Sequence, residues 1–290
     1  MNVGCRAIAA TDDVQGARVP VHLLYPTNAL PRTETFGMYS LDVARDAPVA
    51  GERLPLVAIS HGNGGTPWGY RGLAAHLARA GFAVALIEHP GNSRSDNSLA
   101  DTPANLANRP RHVRLALDAA FADATVGPHL VPGRAAVIGH SLGGYTALAV
   151  AGGRPMALPN QTPDGVAHPV PVEPDPRVHA LVLLAPALPW FMGPGALAGV
   201  RAPLLVRTAE HDELTPPSYV EGILRGLPAG ARMDYQVVPN GGHFAFISPV
   251  PPALAVPGFL PAQDPPGFDR AAYQLRLCAE VFAFLRATLP

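Results

Sequence analysis

One pentapeptide, Gly139-His140-Ser141-Leu142-Gly143, limits what this chain can fold into more than any other stretch. Residues 135–138 form an uninterrupted apolar run and read as a buried strand. Residues 145–151 are alanine-rich and helical in character. A strand that turns this sharply into a helix brings two backbones so close that glycines must flank the turn. The serine at its tip stands clear of the sheet, at a helix N-terminus. There the helix dipole and free N–H groups favour a developing negative charge. The plain alternative is a glycine-rich connection with an incidental serine, so the rest of the chain has to decide.

Read in order, residues 19–25 alternate and end at Pro26, an early edge strand, and residues 27–53 read as a surface connection. Leu54–Ser60 is a continuous apolar strand that runs into His61-Gly62-Asn63-Gly64-Gly65. Residues 68–80 place Leu73, Leu77 and Ala80 on one helical face before Gly81, and residues 82–87 are the next buried strand. Residues 91–110 read as polar and irregular. A helix follows from Arg111, with Val113, Leu117, Ala120 and Phe121 on its apolar face. Beyond the pentapeptide, Val178–Leu184, residues 204–208 and Met233–Val238 are strands. Ser218 with Glu221 has the spacing of a capping box. A closing helix from Asp269 carries Tyr273, Leu277, Val281 and Phe284. Apolar strands alternating with helices predict a doubly wound, mostly parallel sheet with helices on both faces. No internal repeat or long linker divides it, so residues 1–290 are read as one domain without a large cap.

A serine hydroxyl needs a base to become a nucleophile, and a histidine base needs an acid to fix its tautomer. In an open parallel sheet such groups lie at the carboxyl ends of strands. Two downstream strand ends qualify. Residues 204–208 lead into Glu210-His211-Asp212-Glu213, and Met233–Val238 leads into Asn240-Gly241-Gly242-His243. Asp212 is the expected acid, with Glu210 and Glu213 as competitors, and His243 the expected base. His61, His89 and His140 also end strands and are read as structural. An oxyanion hole requires two backbone donors. The N–H of Leu142 is one, and the glycine-rich loop after Leu54–Ser60 offers the N–H of Asn63 as the other.

The order Ser141, Asp212, His243 is that of the α/β-hydrolases, and the chain resembles that superfamily from about residue 54 to 246. Within it, HGNGG at 61–65, EHPGN at 88–92, RPRHVRLALD at 109–118, GHSLGG at 139–144 and DPPGFDRAAY at 264–273 resemble the bacterial dienelactone-hydrolase-like proteins. That group is similar to the platelet-activating-factor acetylhydrolases. The resemblance implies serine esterase chemistry on small or short-acyl esters, with no metal or organic cofactor. Dienelactone hydrolases use a cysteine nucleophile, and Ser141 here argues against dienelactone itself. An acyltransferase or thioesterase could use the same groups, and a non-catalytic ligand receptor is the reading from a different class.

Composition narrows the partners. With 48% hydrophobic residues, 15% charged residues and a net charge of −1, nothing favours nucleic acid or an anionic membrane surface. Cys5 and Cys278 are the only cysteines, which excludes a disulfide framework. The N-terminus has too short an apolar run for a signal peptide, and no segment approaches 18 apolar residues. A cytoplasmic protein is the expectation, although a secreted chain whose leader had been trimmed would read the same. Residues 152–177 and 249–267 hold seven prolines each, which prevents long helices there and suggests stiff pocket walls. Trp190, Phe191, Met192, Phe244 and Phe246, at strand ends, are the expected apolar lining for an ester with an acyl chain of about two to six carbons.

Overall fold

The computed structural model describes residues 1–289. Ten strands, labelled β1 to β10 in chain order, form one sheet: Asn2–Asp12, Ala17–Thr27, Arg32–Phe36, Tyr39–Arg45, Leu54–Ser60, Ala83–Ile87, Leu130–His140, Val178–Leu184, Leu204–Ala209 and Met233–Val238. Across the sheet they run β10-β9-β8-β7-β5-β6-β2-β1-β4-β3. The six strands from β10 to β6 are parallel. Their apolar runs are continuous because both faces are covered. Within β5, Leu56 and Ala58 point to one core while Val57 and Ile59 point to the other.

Five helices supply the cover: α1 (Arg71–Arg79), α2 (Pro103–Ala122), α3 (Leu142–Val150), α4 (Pro217–Leu224) and α5 (Arg270–Thr288). Leu73 and Leu77 of α1 share one core with Tyr273, Leu277 and Val281 of α5; α2, α3 and α4 contribute to the other. Every residue of α3 is buried, which explains its small, apolar composition. Asp269 caps α5 by accepting from Ala272 N at 2.9 Å, as its place before the apolar stripe predicts.

The N-terminal part departs from the sequence expectation. Residues 19–25 do not form an edge, because β2 pairs antiparallel with β1 on one side and β6 on the other. Its prolines are tolerated because the β6 ladder spans only Val21 to Leu24, leaving Pro20 and Pro26 beyond its ends. The expected connection at 27–53 contains the hairpin β3–β4, which turns through Gly37 (φ 60°) and docks in parallel on β1. Helix α2 begins eight residues before Arg111. Thr102 caps it by accepting from Asn105 N at 3.2 Å, and Pro103 fits the first helical position. Pro110 leaves the Leu106 carbonyl without its helical donor, and the Tyr145 hydroxyl donates to it instead at 2.9 Å. Ser218 is no cap either. Helix α4 starts at Pro217, whose fixed φ suits that position, without a side-chain cap.

Candidate active site

Strand β7 ends and α3 begins within one residue, Ser141, whose backbone has φ 54° and ψ −120°. Few non-glycine residues adopt such a conformation, and holding it costs about 1–3 kcal/mol. The turn is held backbone to backbone. Ser141 N donates to Leu184 O at 3.0 Å, while its carbonyl accepts from Gly144 N at 2.8 Å and Ala187 N at 2.9 Å. A Cβ on Gly139 would lie 2.0 Å from the Gly143 carbonyl oxygen, and one on Gly143 would lie 2.0 Å from that of Ser60. A Cβ on Gly62 would meet Ser141 Cβ at 3.2 Å, so the loop after β5 passes directly over the serine.

The loops after β9 and β10 bring Asp212 and His243 together. His243 Nδ1–H donates to Asp212 Oδ2 at 2.8 Å, with both residues buried. This leaves His243 Nε2 as the ring's free acceptor. The other carboxylate oxygen accepts from the backbone N–H groups of Leu214 at 2.9 Å and Thr215 at 2.8 Å. The Thr215 hydroxyl lies 2.7 Å from Oδ2 and 3.3 Å from His243 Nδ1. Burial alone would push the Asp212 carboxyl up. The hydrogen bonds from His243 and Thr215 outweigh it and hold the group below its ordinary range. Glu210 and Glu213 are exposed, and Glu210 instead accepts from Asn240 N at 2.7 Å.

Beneath these residues lies a layer of neutral histidines. His140 Nε2 must donate to its partner, the His243 carbonyl at 2.9 Å, so its Nδ1 accepts from the Tyr70 hydroxyl at 2.8 Å. Burial, then the neighbouring His243, pushes His140 down to about 3, and burial with Arg109 nearby does the same to His61. Their readings as structural residues fit this geometry. Arg109 is missed by the sequence reading, because it falls in the stretch 91–110 that reads as polar and irregular. It is fully buried without a carboxylate contact, and burial pushes its guanidinium down to about 9, still charged at neutral pH. It donates to Thr146 Oγ1 at 3.0 Å, Asn92 Oδ1 at 2.6 Å, Ser60 Oγ at 3.2 Å and the His61 carbonyl. Asn92 in turn donates to Asn63 Oδ1 at 2.6 Å. The guanidinium thus ties α2 and α3 to the loop that carries Asn63.

Ser141, His243, Asn63 and Phe244 share a cleft of about 290 Å³ with Tyr39 and Ile247. Phe259 and Pro261, from the proline-rich segment 249–267, form part of its wall. Trp190 and Leu142 line a smaller recess that also reaches Ser141. The remaining expected wall residues lie elsewhere. Phe191 stacks on Tyr145 in the core, and Phe246 packs edge-on against Tyr273. Met192 is exposed beside Tyr219, because the chain turns outward after the Pro189–Phe191 turn. Among the described residues no three His, Cys, Asp or Glu side chains gather as a metal site would require. No helix there is long and apolar enough to cross a membrane.

A family model described as alpha/beta hydrolase fold matches residues 55–202, about half the chain, and the chain belongs to that family. Cutinase est1 of Thermobifida alba is 28% identical over 192 residues, which cover 65% of this chain and 53% of the relative. Cutinase 2 of Thermobifida cellulosilytica is also 28% identical, over 65% of this chain and 60% of the relative. The chain thus spans about half the length of the curated relatives it matches. A solved ferulic acid esterase from Streptomyces cinnamoneus shares the fold, with TM-score 0.71 and 22% identity over 99% of this chain and 90% of that one.

Proposed function

We propose that this protein is a serine carboxylic ester hydrolase with Ser141 as nucleophile, His243 as base and Asp212 as the acid that orients it. The observation that carries this reading is the Asp212–His243 hydrogen bond of 2.8 Å beside a serine held at φ 54° on the same cleft. Ser141 Oγ attacks the ester carbonyl while His243 Nε2 takes its proton, and Asp212 stabilises the imidazolium. The N–H groups of Asn63 and Leu142 receive the oxyanion. The alcohol leaves with the proton returned by His243, and water, activated by the same base, releases the acid. The names of the relatives, cutinases and a ferulic acid esterase, agree with ester chemistry. No organic cofactor or metal enters these steps.

The cleft volume lies at the low end for ligand pockets and suits esters with acyl chains of about two to six carbons. Residues 152–177 and 249–267 contain only short turns and a two-residue ladder, with no helix long enough to act as a lid. Ser141→Ala tests the reading. It should fold normally, lose labelling by a fluorophosphonate probe, and lose on the order of 10⁴–10⁶ in turnover of butyrate esters. Labelling that survives the substitution would place the nucleophile elsewhere.

A further inference from the structure

Ser141 and Asn63 line the main cleft and also a second recess of about 120 Å³. An ester held with its carbonyl carbon at Ser141 has two arms, and each recess can take one. The main cleft is largely aromatic and aliphatic. The small one is mixed, with Asp101, Thr102, Asn105 and Gln161 on its walls beside Leu106, Leu142 and Trp190. At roughly 30 Å³ per water-sized group, it accommodates an arm of three or four heavy atoms.

The side-chain oxygens of two of these residues already have partners. Gln161 Oε1 accepts from Trp190 Nε1 at 2.8 Å and Leu158 N at 3.0 Å. Thr102 Oγ1 caps α2 and donates to Leu99 O at 2.7 Å. Asn105 is different: it is 2% exposed, and its amide oxygen has no hydrogen-bond partner. Asn105 lies on the wall of the recess, on a first turn of α2 whose backbone is fixed by the Thr102 cap. Buried amides are nearly always paired in folded proteins, which makes this one a group waiting for a partner. Rotating the amide by half a turn exchanges its oxygen and nitrogen, so it can present an acceptor or a donor. A hydroxyl, which is both, satisfies either arrangement. Asp101 adds an exposed acceptor and disfavours an anionic arm.

We propose that the small recess is a hydroxyl-recognising subsite in which Asn105 selects esters whose shorter arm carries a hydroxyl group. This rests on the serine esterase reading. A pocket built to pair a hydroxyl rejects the isostere that lacks it, because its own polar group is then left unpaired.

The test is kcat/KM for two matched pairs, each exchanging a hydroxyl for a methyl. One pair varies the alcohol arm (2-hydroxyethyl butyrate against propyl butyrate), the other the acyl arm (ethyl 3-hydroxybutyrate against ethyl 3-methylbutyrate). The hydroxylated member of one pair should be preferred about tenfold or more. Asn105→Leu should bring that ratio to about one. Because the ratio is internal to each enzyme, reduced yield of the variant does not affect it. If Asn105→Leu does not fold, the wild-type ratios alone decide. Ratios at or below one in both wild-type pairs, or a preference that Asn105→Leu leaves unchanged, overturn the subsite. A wild-type protein that neither reacts with the fluorophosphonate nor cleaves any of the four esters overturns the esterase reading, and the subsite with it.

Discussion

The glycine after the candidate nucleophile offers a test in which a single methyl group is the whole perturbation. In Gly143→Ala the new Cβ would lie 2.0 Å from the Ser60 carbonyl oxygen and 3.1 Å from that of His61, whereas real Cβ atoms essentially never come within 3.0 Å of such atoms. Ser60 cannot yield, since β5 is paired on both sides, to Ile87 of β6 and to Gly139 of β7. The start of α3 must therefore move away by about 1 Å. Overpacking of this kind costs about 1–3 kcal/mol, partly offset by up to about 1 kcal/mol from the better helix propensity of alanine. A net loss of about 1–2 kcal/mol lowers the unfolding midpoint by roughly 2–4 °C in a chain of this size. The Leu142 N–H moves with the helix, and a misplacement of about 1 Å can cost about 10² in turnover. Gly222→Ala is the matched control. It lies in α4, and an added Cβ there meets nothing within 4 Å. That variant should be unchanged in activity and up to about 1 kcal/mol more stable. Thermal unfolding and ester turnover of both variants settle the matter. A Gly143→Ala protein as stable and active as the parent, or a Gly222→Ala loss of equal size, would refute the reasoning.

Two further outcomes follow from the buried polar groups. Asp212→Asn should lower turnover by about 10⁴, the loss expected when the base takes the wrong tautomer. Because the Asp212 carboxyl is held below its ordinary range, its stabilising effect is present above about pH 4 and disappears as pH falls further. The gap in urea midpoint between parent and Asp212→Asn should therefore be larger at pH 7 than near pH 3, and a gap independent of pH contradicts the assignment. Arg109→Lys replaces a fork of donors with one nitrogen that cannot reach Thr146, Asn92, Ser60 and the His61 carbonyl together. Each orphaned acceptor costs about 1–3 kcal/mol. Turnover should fall at least about tenfold, with a smaller change in KM, because the loop bearing Asn63 loses its anchor. Unchanged turnover in a folded Arg109→Lys protein would reduce the guanidinium to a space-filling role.

What could be read from the sequence follows a physical divide. Strands buried on both faces announce themselves as continuous apolar runs, so β5, β6, β8 and the end of β7 were legible, as were Ser141, Asp212 and His243 at strand ends. Strands β1, β3 and β4 were hidden because one-sided burial leaves charges in their sequence, as in Arg32–Phe36, whereas residues 19–25 of β2 read as a strand but not as an inner one. The first two turns of α2 were hidden by asparagines and Pro110, whose roles emerge only once Tyr145 and the small recess are in place. Thr215 left a trace, three residues after Asp212, the spacing of a side chain that caps the turn following it. Arg109 left none. A buried cation whose partners are a carbonyl, an amide and two hydroxyls from three segments has no local signature.

The backbone interlock around Ser141 has a bearing on how this protein can change. The turn is fixed by Gly139, Gly143, Ser60 and Leu184, none of which needs a side chain from the walls of either recess. Those walls come from other segments: Phe244, Phe259 and Ile247 on one side, Asn105, Gln161 and Trp190 on the other. The backbone that holds the proposed nucleophile is therefore separate from most of the side chains that line the two recesses. Substitutions at the exposed positions of residues 152–177 and 249–267, the segments that supply Gln161 and Phe259 to the walls, are expected to reshape the accepted molecule while the geometry at the serine stays as it is. A library confined to those two segments samples new specificities at little risk to the machinery beneath.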